Sequence, residues 1–440
     1  MSLHILRQKI AAQTARIGVI GLGYVGLPVA CLFAEAGFDV MGVDLKAERV
    51  AAINAGISPI EGREPGLAEL LAAIVAGGRL RATTQYADLR ACDVVIISVE
   101  TPVDEQYVPR YVALQRALRD LGPVLQTGAL VVVESTIAPG TMARVVNPLL
   151  EEASGKHVNV DFYLGHCPER VMPGKLLANL RGVSRVCGGE TPQTAQTMMA
   201  LYRHVVQADL DAADCVTAEL VKTAENAYRD VNIAFANEVA LICEAVRGDV
   251  WKVRELVNKS PGRNMLLPGA GVGGHCIPKD PWLLAYQAGQ QGVPLRLIPA
   301  ARAVNDGMPL HMIALLEDAL REAGRLLAGA RVLVLGYAYL EDSDDTRNSP
   351  SAALVAALRA RGAEVIIHDP YVAEYQGDVY AMAAGCDAMV AMVKHSEYRT
   401  LDLDAFKDTL KTSILIDGRG MFAPAQARQA GLIYRCVGQR

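Results

Sequence analysis

The stretch Arg16-Ile-Gly-Val-Ile-Gly-Leu-Gly-Tyr-Val-Gly-Leu-Pro28 decides the first half of the fold. It reads as a short buried strand, a glycine turn and the opening of a helix. Gly21, Gly23 and Gly26 fit G-x-G-x-x-G, and Pro28 falls early in the helix, where a missing N–H costs least. The helical pattern runs to Ala36 and Gly37 closes it. A second strand, Phe38 to Val43, ends at Asp44. A glycine triplet alone is a weak signal, but strand, triplet, helix, strand and terminal acid in that order make a strong one. The series predicts a dinucleotide site with the pyrophosphate on the helix N-terminus, against Gly21, Gly23, Tyr24, Val25 and Gly26. Asp44 would accept from the adenine-ribose hydroxyls, which favours NAD over NADP. Arg49 would suit a 2′-phosphate, although an Arg there is more often a solvated helix residue.

The alternation continues outward from this unit. Asp93 to Pro102 and Gly128 to Thr136 read as strands around a helix near Val112–Leu125, which implies a parallel sheet with ligands at its carboxyl ends. Thr101 and Thr136 lie just past such ends, where a helix cap is the commoner fate. A further strand ends in Leu164-Gly-His-Cys-Pro-Glu-Arg170, bringing Glu169 and Arg170 to the same rim. Asp214 to Arg247 then reads as one long helix. Its apolar residues Val216, Leu220, Ala224, Ala227, Val231, Phe235, Val239, Ile242 and Val246 keep the helical period. Glu219, Lys222, Asn226 and Arg229 share another face, for which a solvated stripe is the plainer reading. A helix this long suits an inter-domain spine and a dimer surface.

The chain restarts at Arg331-Val-Leu-Val-Leu-Gly336, with a helix over Ser349–Arg361 and a strand Glu364 to His368 ending at Asp369. This second unit lacks the later glycines of the triplet. The expected fold is therefore α/β, two Rossmann-like doubly wound domains joined by a long central helix within a helical domain. The boundaries expected are residues 1–210, 211–325 and 326–440.

A length of 440 residues fits two to three domains. A net charge of −5 gives no sign of a nucleic-acid partner, and no apolar run reaches the ~18 residues of a membrane span. The residues before Thr14 lack the apolar core of a signal peptide. Nine scattered cysteines without a Cys-x-x-Cys predict reduced thiols in the cytoplasm, with neither disulfides nor a metal site.

One segment stands apart: Gly269-Ala-Gly-Val-Gly-Gly-His-Cys-Ile-Pro-Lys-Asp-Pro281. Four glycines let backbone approach something bulky, and a single thiol, Cys276, follows them. Lys279 or a charged His275 would favour its thiolate, the nucleophilic form. A turn with an incidental cysteine is the bland alternative.

With these residues set out, the chain resembles the UDP-glucose/GDP-mannose dehydrogenase family over nearly its full length. The matches are Gly21-Leu-Gly-Tyr-Val-Gly26, Glu134-Ser-Thr136, Pro168-Glu-Arg170, Lys222 with Asn226, Gly273-Gly-His-Cys276, Asp280 and Asp344-Asp-Thr-Arg347. Cys167-Pro-Glu-Arg-Val-Met-Pro-Gly174 and Arg229 to Glu238 are similar to its UDP-N-acetylhexosamine 6-dehydrogenase branch, the UDP-N-acetylmannosamine type. The resemblance implies an NAD-dependent oxidation of a nucleotide-sugar C6 alcohol to the acid, with Cys276 as nucleophile and Lys222 stabilising oxyanions. Asn226 would assist Lys222, while Asp280, Thr136 and Glu169 would handle water and protons. It places Thr101 and Thr136 near the cofactor. Glu169, Arg170, Val171, Lys222, Asn226, Gly273, His275, Tyr339 and Arg347 would lie against the substrate, and Arg263 would reach the site of a partner subunit in a homodimer or larger homo-oligomer. Lys279 is more typical of the UDP-glucose branch, Glu100 replaces a small residue or proline, and Leu340 replaces a lysine. A dehydrogenase of UDP-glucose or another nucleotide-linked hexose, a one-step alcohol dehydrogenase, and a non-catalytic dinucleotide sensor remain as alternatives. Cys167, at a strand end without a glycine approach, is the unfavoured thiol. The unit from Arg331 is expected to hold the substrate's nucleotide on Arg347 and the Ser349-Pro350 helix start. The alternative there is that Arg347 caps its own acidic loop, Glu341 to Asp345.

Overall fold

The computed structural model describes residues 2–60, 62 and 64–439. The chain groups into two compact units, Met1–Glu225 with Trp282–Val293, and Asn226–Pro281 with Pro294–Arg440.

Among the described residues, the first unit carries β1 (Arg16–Ile20), β2 (Asp39–Val43), β3 (Leu80–Thr83), β4 (Val94–Ile97), β5 (Leu130–Val133), β6 (Tyr163–His166), β7 (Arg185–Gly189) and β8 (Leu210–Asp214). They form one sheet in the order β3-β2-β1-β4-β5-β6-β7-β8. All neighbours are parallel except β6 and β7. Alternate residues feed opposite cores: Ile17, Val19, Val94 and Ile96 on one side, Ile20, Val95 and Ile97 on the other. Burial on both faces explains why these strands read as continuous apolar runs. The strand order reverses between β1 and β4, which is where doubly wound sheets bind ligands.

The second unit carries β9 (Arg331–Leu335), β10 (Glu364–His368), β11 (Ala388–Ala391), β12 (Ile414–Asp417) and β13 (Ile433–Cys436), all parallel, ordered β10-β9-β11-β12-β13. This is the shorter doubly wound order, with its switch point between β9 and β11. The doubly wound α/β expectation holds for both sheets.

Two local expectations are corrected. The helix from Val112 stops at Leu121 and tightens into a 3₁₀ turn over Gly122–Val124, because Pro123 cannot donate the next helical bond. The second concerns the long helix, Cys215–Val246. Its mixed-polar face is not a solvated stripe, since Glu219 and Lys222 are buried while only Arg229 is well exposed. The large apolar residues go the other way: Val216, Leu220, Phe235, Ile242 and Val246 are exposed, Phe235 at 56%. The apolar side chains that are buried are mainly small ones, Ala218, Ala227, Ala234, Ala236 and Ala240, which allow close packing. Among the described residues, no helix is long and apolar enough to cross a membrane.

Candidate active site

In the first unit the three glycines do three separate jobs. A Cβ at Gly21 would strike Ser98 O, and one at Gly26 would strike Gly21 O, so both are required by the fold itself. A Cβ at Gly23 would meet nothing within 4 Å. That open position is where a pyrophosphate must approach the backbone, so the turn fits the dinucleotide that its sequence implies. Tyr24 and Val25 continue the turn, half-buried against the core. Asp44, 7% exposed, accepts from Leu22 N and Lys46 N at 3.0 Å. Arg49 is half-buried, and its Nη1 donates to Asp44 at 3.1 Å.

The rim beyond β4 and β5 is joined by hydrogen bonds between Ser135 and Val99 and, further out, by Thr101 Oγ1, which donates to Thr136 O at 2.5 Å. No helix begins at either threonine, so the capping alternative falls. The Thr136–Thr141 loop is anchored by a residue the sequence showed only as part of a stripe. Glu219, fully buried, accepts from Gly140 N at 2.5 Å and Met142 N at 2.8 Å. Burial lifts its carboxyl to about 7, against the pull of those N–H groups. One helical turn further, Lys222 is buried at 7% exposed and makes no hydrogen bond or ion pair with any described residue. Buried lysines are ordinarily paired.

After β6, Glu169 accepts from Val171 N at 2.7 Å, and Arg170 donates to both oxygens of Glu225 and to Ser184. Arg170 therefore braces its loop with most of its donors.

In the second unit, Asn226 Nδ2 donates to Asp280 Oδ2 at 2.5 Å. Asp280 is fully buried, its Oδ1 is without a hydrogen-bond partner, and Lys279 Nζ lies 3.4 Å from that oxygen. The carbonyl of Cys276 accepts from Lys279 N and Asp280 N, which turns the chain from the thiol into the Asp280–Gln290 helix.

The glycines before Cys276 do approach something bulky, and it is the protein itself. A Cβ at Gly273 would lie 2.6 Å from Tyr339 Cβ, and one at Gly274 2.7 Å from the Tyr339 ring. Gly274 N donates to Arg347 O, and Asn348 Nδ2 donates to Gly274 O. Gly269 N is fixed by Asn237 Oδ1 at 2.8 Å, the end of a buried chain through Asn305 and Asp230 to Arg302. Arg419 donates to Gly271 O at 3.2 Å from just past β12, a contact that no spacing in the sequence signalled.

His275 is exposed, yet dehydration by the surrounding chain, Lys279 and Arg347 push its pKa below the ordinary value. At neutral pH it is uncharged, so it does not supply the positive charge that would favour a thiolate at Cys276. Tyr339 is pushed up to about 12 by burial, Asp345 and Cys276. Arg347 pairs with Asp345 through Nε and Nη2, the geometry of the acidic-loop alternative. Arg263 is exposed, with Nη1 on Pro261 O.

The nine cysteines form no disulfide, and Cys276 is the exposed one. Cys167 is fully buried beside Cys187 and Arg185, out of reach of any substrate. Among the described residues no cluster of His, Cys, Asp and Glu is arranged to hold a metal.

Three family models cover the chain. The NAD binding domain of the UDP-glucose/GDP-mannose dehydrogenase family matches residues 15–206, its central domain 216–307 and its UDP binding domain 333–424. A UDP-N-acetyl-D-mannosamine dehydrogenase of Pyrococcus horikoshii is 39% identical over 424 residues, 96% of this chain and 99% of the relative. The solved structure of UDP-D-ManNAc dehydrogenase from that organism matches with a TM-score of 0.91, over 96% of this chain and 99% of the other. An NDP-N-acetyl-D-galactosaminuronic acid dehydrogenase of Ralstonia nicotianae is 36% identical over 92% of this chain and 96% of the relative. The chain belongs to the UDP-glucose/GDP-mannose dehydrogenase family and is an NAD-dependent oxidoreductase acting on nucleotide sugars.

Proposed function

We propose that this protein oxidises the C6 alcohol of a UDP-N-acetylhexosamine, UDP-N-acetylmannosamine or UDP-N-acetylglucosamine, to the uronic acid in two NAD-dependent steps. The observation that carries the chemistry is Lys222, whose side chain is largely buried and makes no ion pair among the described residues. A cation on a largely buried side chain, left unneutralised, is suited to oxygen that becomes negative during reaction. NAD supplies the hydride acceptor for both steps.

In the first step the C6 hydroxyl loses its proton and a hydride, leaving an aldehyde. Cys276 then adds through sulfur to that carbonyl carbon, and the oxygen takes a proton to give a thiohemiacetal. Loss of a second hydride and the hydroxyl proton leaves a thioester. Water cleaves it to the carboxylic acid and returns the thiol. Lys222, assisted by Asn226, stabilises the oxyanion at each stage. Asp280, held by Asn226, receives and returns the proton of the attacking water, with Thr136 and Glu169 positioning that water. The unit from Arg331 holds the uridine diphosphate. The N-acetylmannosamine identity rests on the relatives' names together with His275.

The same reading makes the exposed apolar face of the Cys215–Val246 helix a surface for a second copy, with Arg263 reaching the partner's substrate. Light scattering is expected to give a dimer or larger. A fully active monomer overturns this part alone.

The decisive experiment counts NADH per sugar across a panel of nucleotide sugars. Two NADH and a carboxylate are expected, with Cys276→Ser and Cys276→Ala blocking completion. One NADH with free aldehyde from the unaltered enzyme would refute the mechanism.

A further inference from the structure

Glu64 is half-buried, and its carboxylate accepts from two separate parts of the first unit. Oε1 takes the hydroxyl proton of Tyr24, in the glycine turn, and the N–H of Gly174 at 2.8 Å. Oε2 takes the N–H of Leu176 at 3.2 Å. Gly174 ends the loop that carries Glu169, Arg170 and Val171, and Leu176 opens the Leu176–Gly182 helix. Bonds to an ionised carboxylate are about twice as strong as neutral ones, so this three-donor link is stiff. The loop is braced elsewhere by Asn179 Oδ1 on Met172 N at 2.9 Å and by Arg170 on Glu225. Among the described residues, Glu64 thus accepts hydrogen bonds from both the turn and the loop.

We propose that Glu64 is a positioning residue that couples dinucleotide binding at the glycine turn to the 169–176 loop, so that bound cofactor raises the affinity for the nucleotide sugar. The proposal rests on the assignment of that loop to the substrate under Proposed function. A cofactor lying against Tyr24 fixes the ring, the ring fixes the carboxylate, and the carboxylate fixes two backbone N–H groups of the loop. Linkage requires the converse with equal strength, so the sugar nucleotide raises the affinity for the cofactor by the same factor.

The test measures binding of UDP-N-acetylmannosamine by calorimetry with and without saturating NADH, a pair that cannot turn over. In the unaltered protein NADH is expected to tighten sugar binding by about fivefold or more, the lower end for coupled sites. Tyr24→Phe, which keeps the ring and removes the hydroxyl, and Glu64→Ala are each expected to bring that ratio close to one. Glu64→Gln falls between, because its amide oxygen still accepts but its NH₂ opposes an N–H donor. A purely structural Glu64 would lower the melting temperature and weaken both ligands while leaving the ratio intact, and that result overturns the proposal. So does a ratio of one in the unaltered protein, or a ratio that survives Tyr24→Phe. An unaltered protein that binds NADH but no nucleotide sugar brings down the functional reading itself, a separate and recognisable outcome.

Discussion

Two strand-turn-acid units occur in this chain, one around Asp44 and one around Asp369, and they part company after the same opening. Gly21 has φ 89° and donates to Val43 O at 2.8 Å; Gly336 has φ 90° and donates to His368 O at 2.8 Å. Leu22 N donates to Asp44 just as Tyr337 N donates to Asp369. Then the units diverge. Gly23 leaves open space, where the second unit has Ala338 fully buried. Asp44 receives Leu22, Lys46 and Arg49. Asp369 receives Tyr337, Ala338, Tyr371 and Val372 N–H groups and the His395 ring at 3.1 Å. A carboxylate has about four lone-pair sites, so Asp369 is saturated and Asp44 keeps capacity for a ribose hydroxyl. Only in the first unit does the turn leave the acid at the strand end both room and a spare acceptor.

The largest effect expected from disturbing this contrast is on folding. Asp369→Ala strands buried N–H groups and should cost about 3 kcal/mol or more, seen in urea unfolding, with NAD affinity unchanged. The same carboxyl gives a pH signature. Burial opposes its ionisation, but His395 and the N–H groups of Ala338 and Tyr337 hold it down at about 2, from 3.8. Its stabilisation is therefore present above about pH 4 and is lost as pH falls through 2, amounting to roughly 2 kcal/mol. Next in size, Gly23→Val should weaken NAD by roughly a hundredfold, about 2.7 kcal/mol, with the melting temperature unmoved because nothing packs there. Lost stability would show that the turn is filled by protein after all. Asp44→Ala should narrow the preference for NAD over NADP by about tenfold in kcat/KM, Arg49 already offsetting part of the carboxylate's charge. Smallest, Arg347→Ala should raise KM for the nucleotide sugar several-fold and leave NAD binding alone. A collapse of NAD affinity there would mean that the two units had been assigned the wrong way round.

Periodic and local signals carried most of this architecture. Gly21 and Gly26 announced their turn because each meets backbone that leaves no room for a Cβ, with Gly23 completing the triplet. The strands β1, β4, β5 and β9 were legible because both sheet faces are covered there and their positions are almost all apolar, whereas β3 and β8, with exposed positions, leave no such run. What stayed hidden depends on partners far apart in the chain. Glu219 looked like a surface charge until the Gly140 and Met142 N–H groups were seen to close on it, 79 and 77 residues away. Arg419 reaches back 148 residues to Gly271 O. The glycines before Cys276 were read correctly as a close approach, but their immediate neighbour is Tyr339, which only the folded second unit reveals. A charged His275 was one of two cations that would favour the thiolate. Burial, with Lys279 and Arg347, outweighs Asp280 and Asp345 around it, and spacing alone cannot say which charges a loop will meet.

Val216, Leu220, Phe235, Ile242 and Val246, standing in water along one helix, bear on how the stability of this protein is to be measured. If a second copy covers that face, folding and association are one equilibrium, and mass action enters every melting curve. Each tenfold dilution then withdraws about 1.4 kcal/mol of association free energy. The melting temperature becomes a function of protein concentration, and a mutation on that face changes it most in dilute samples and least in concentrated ones.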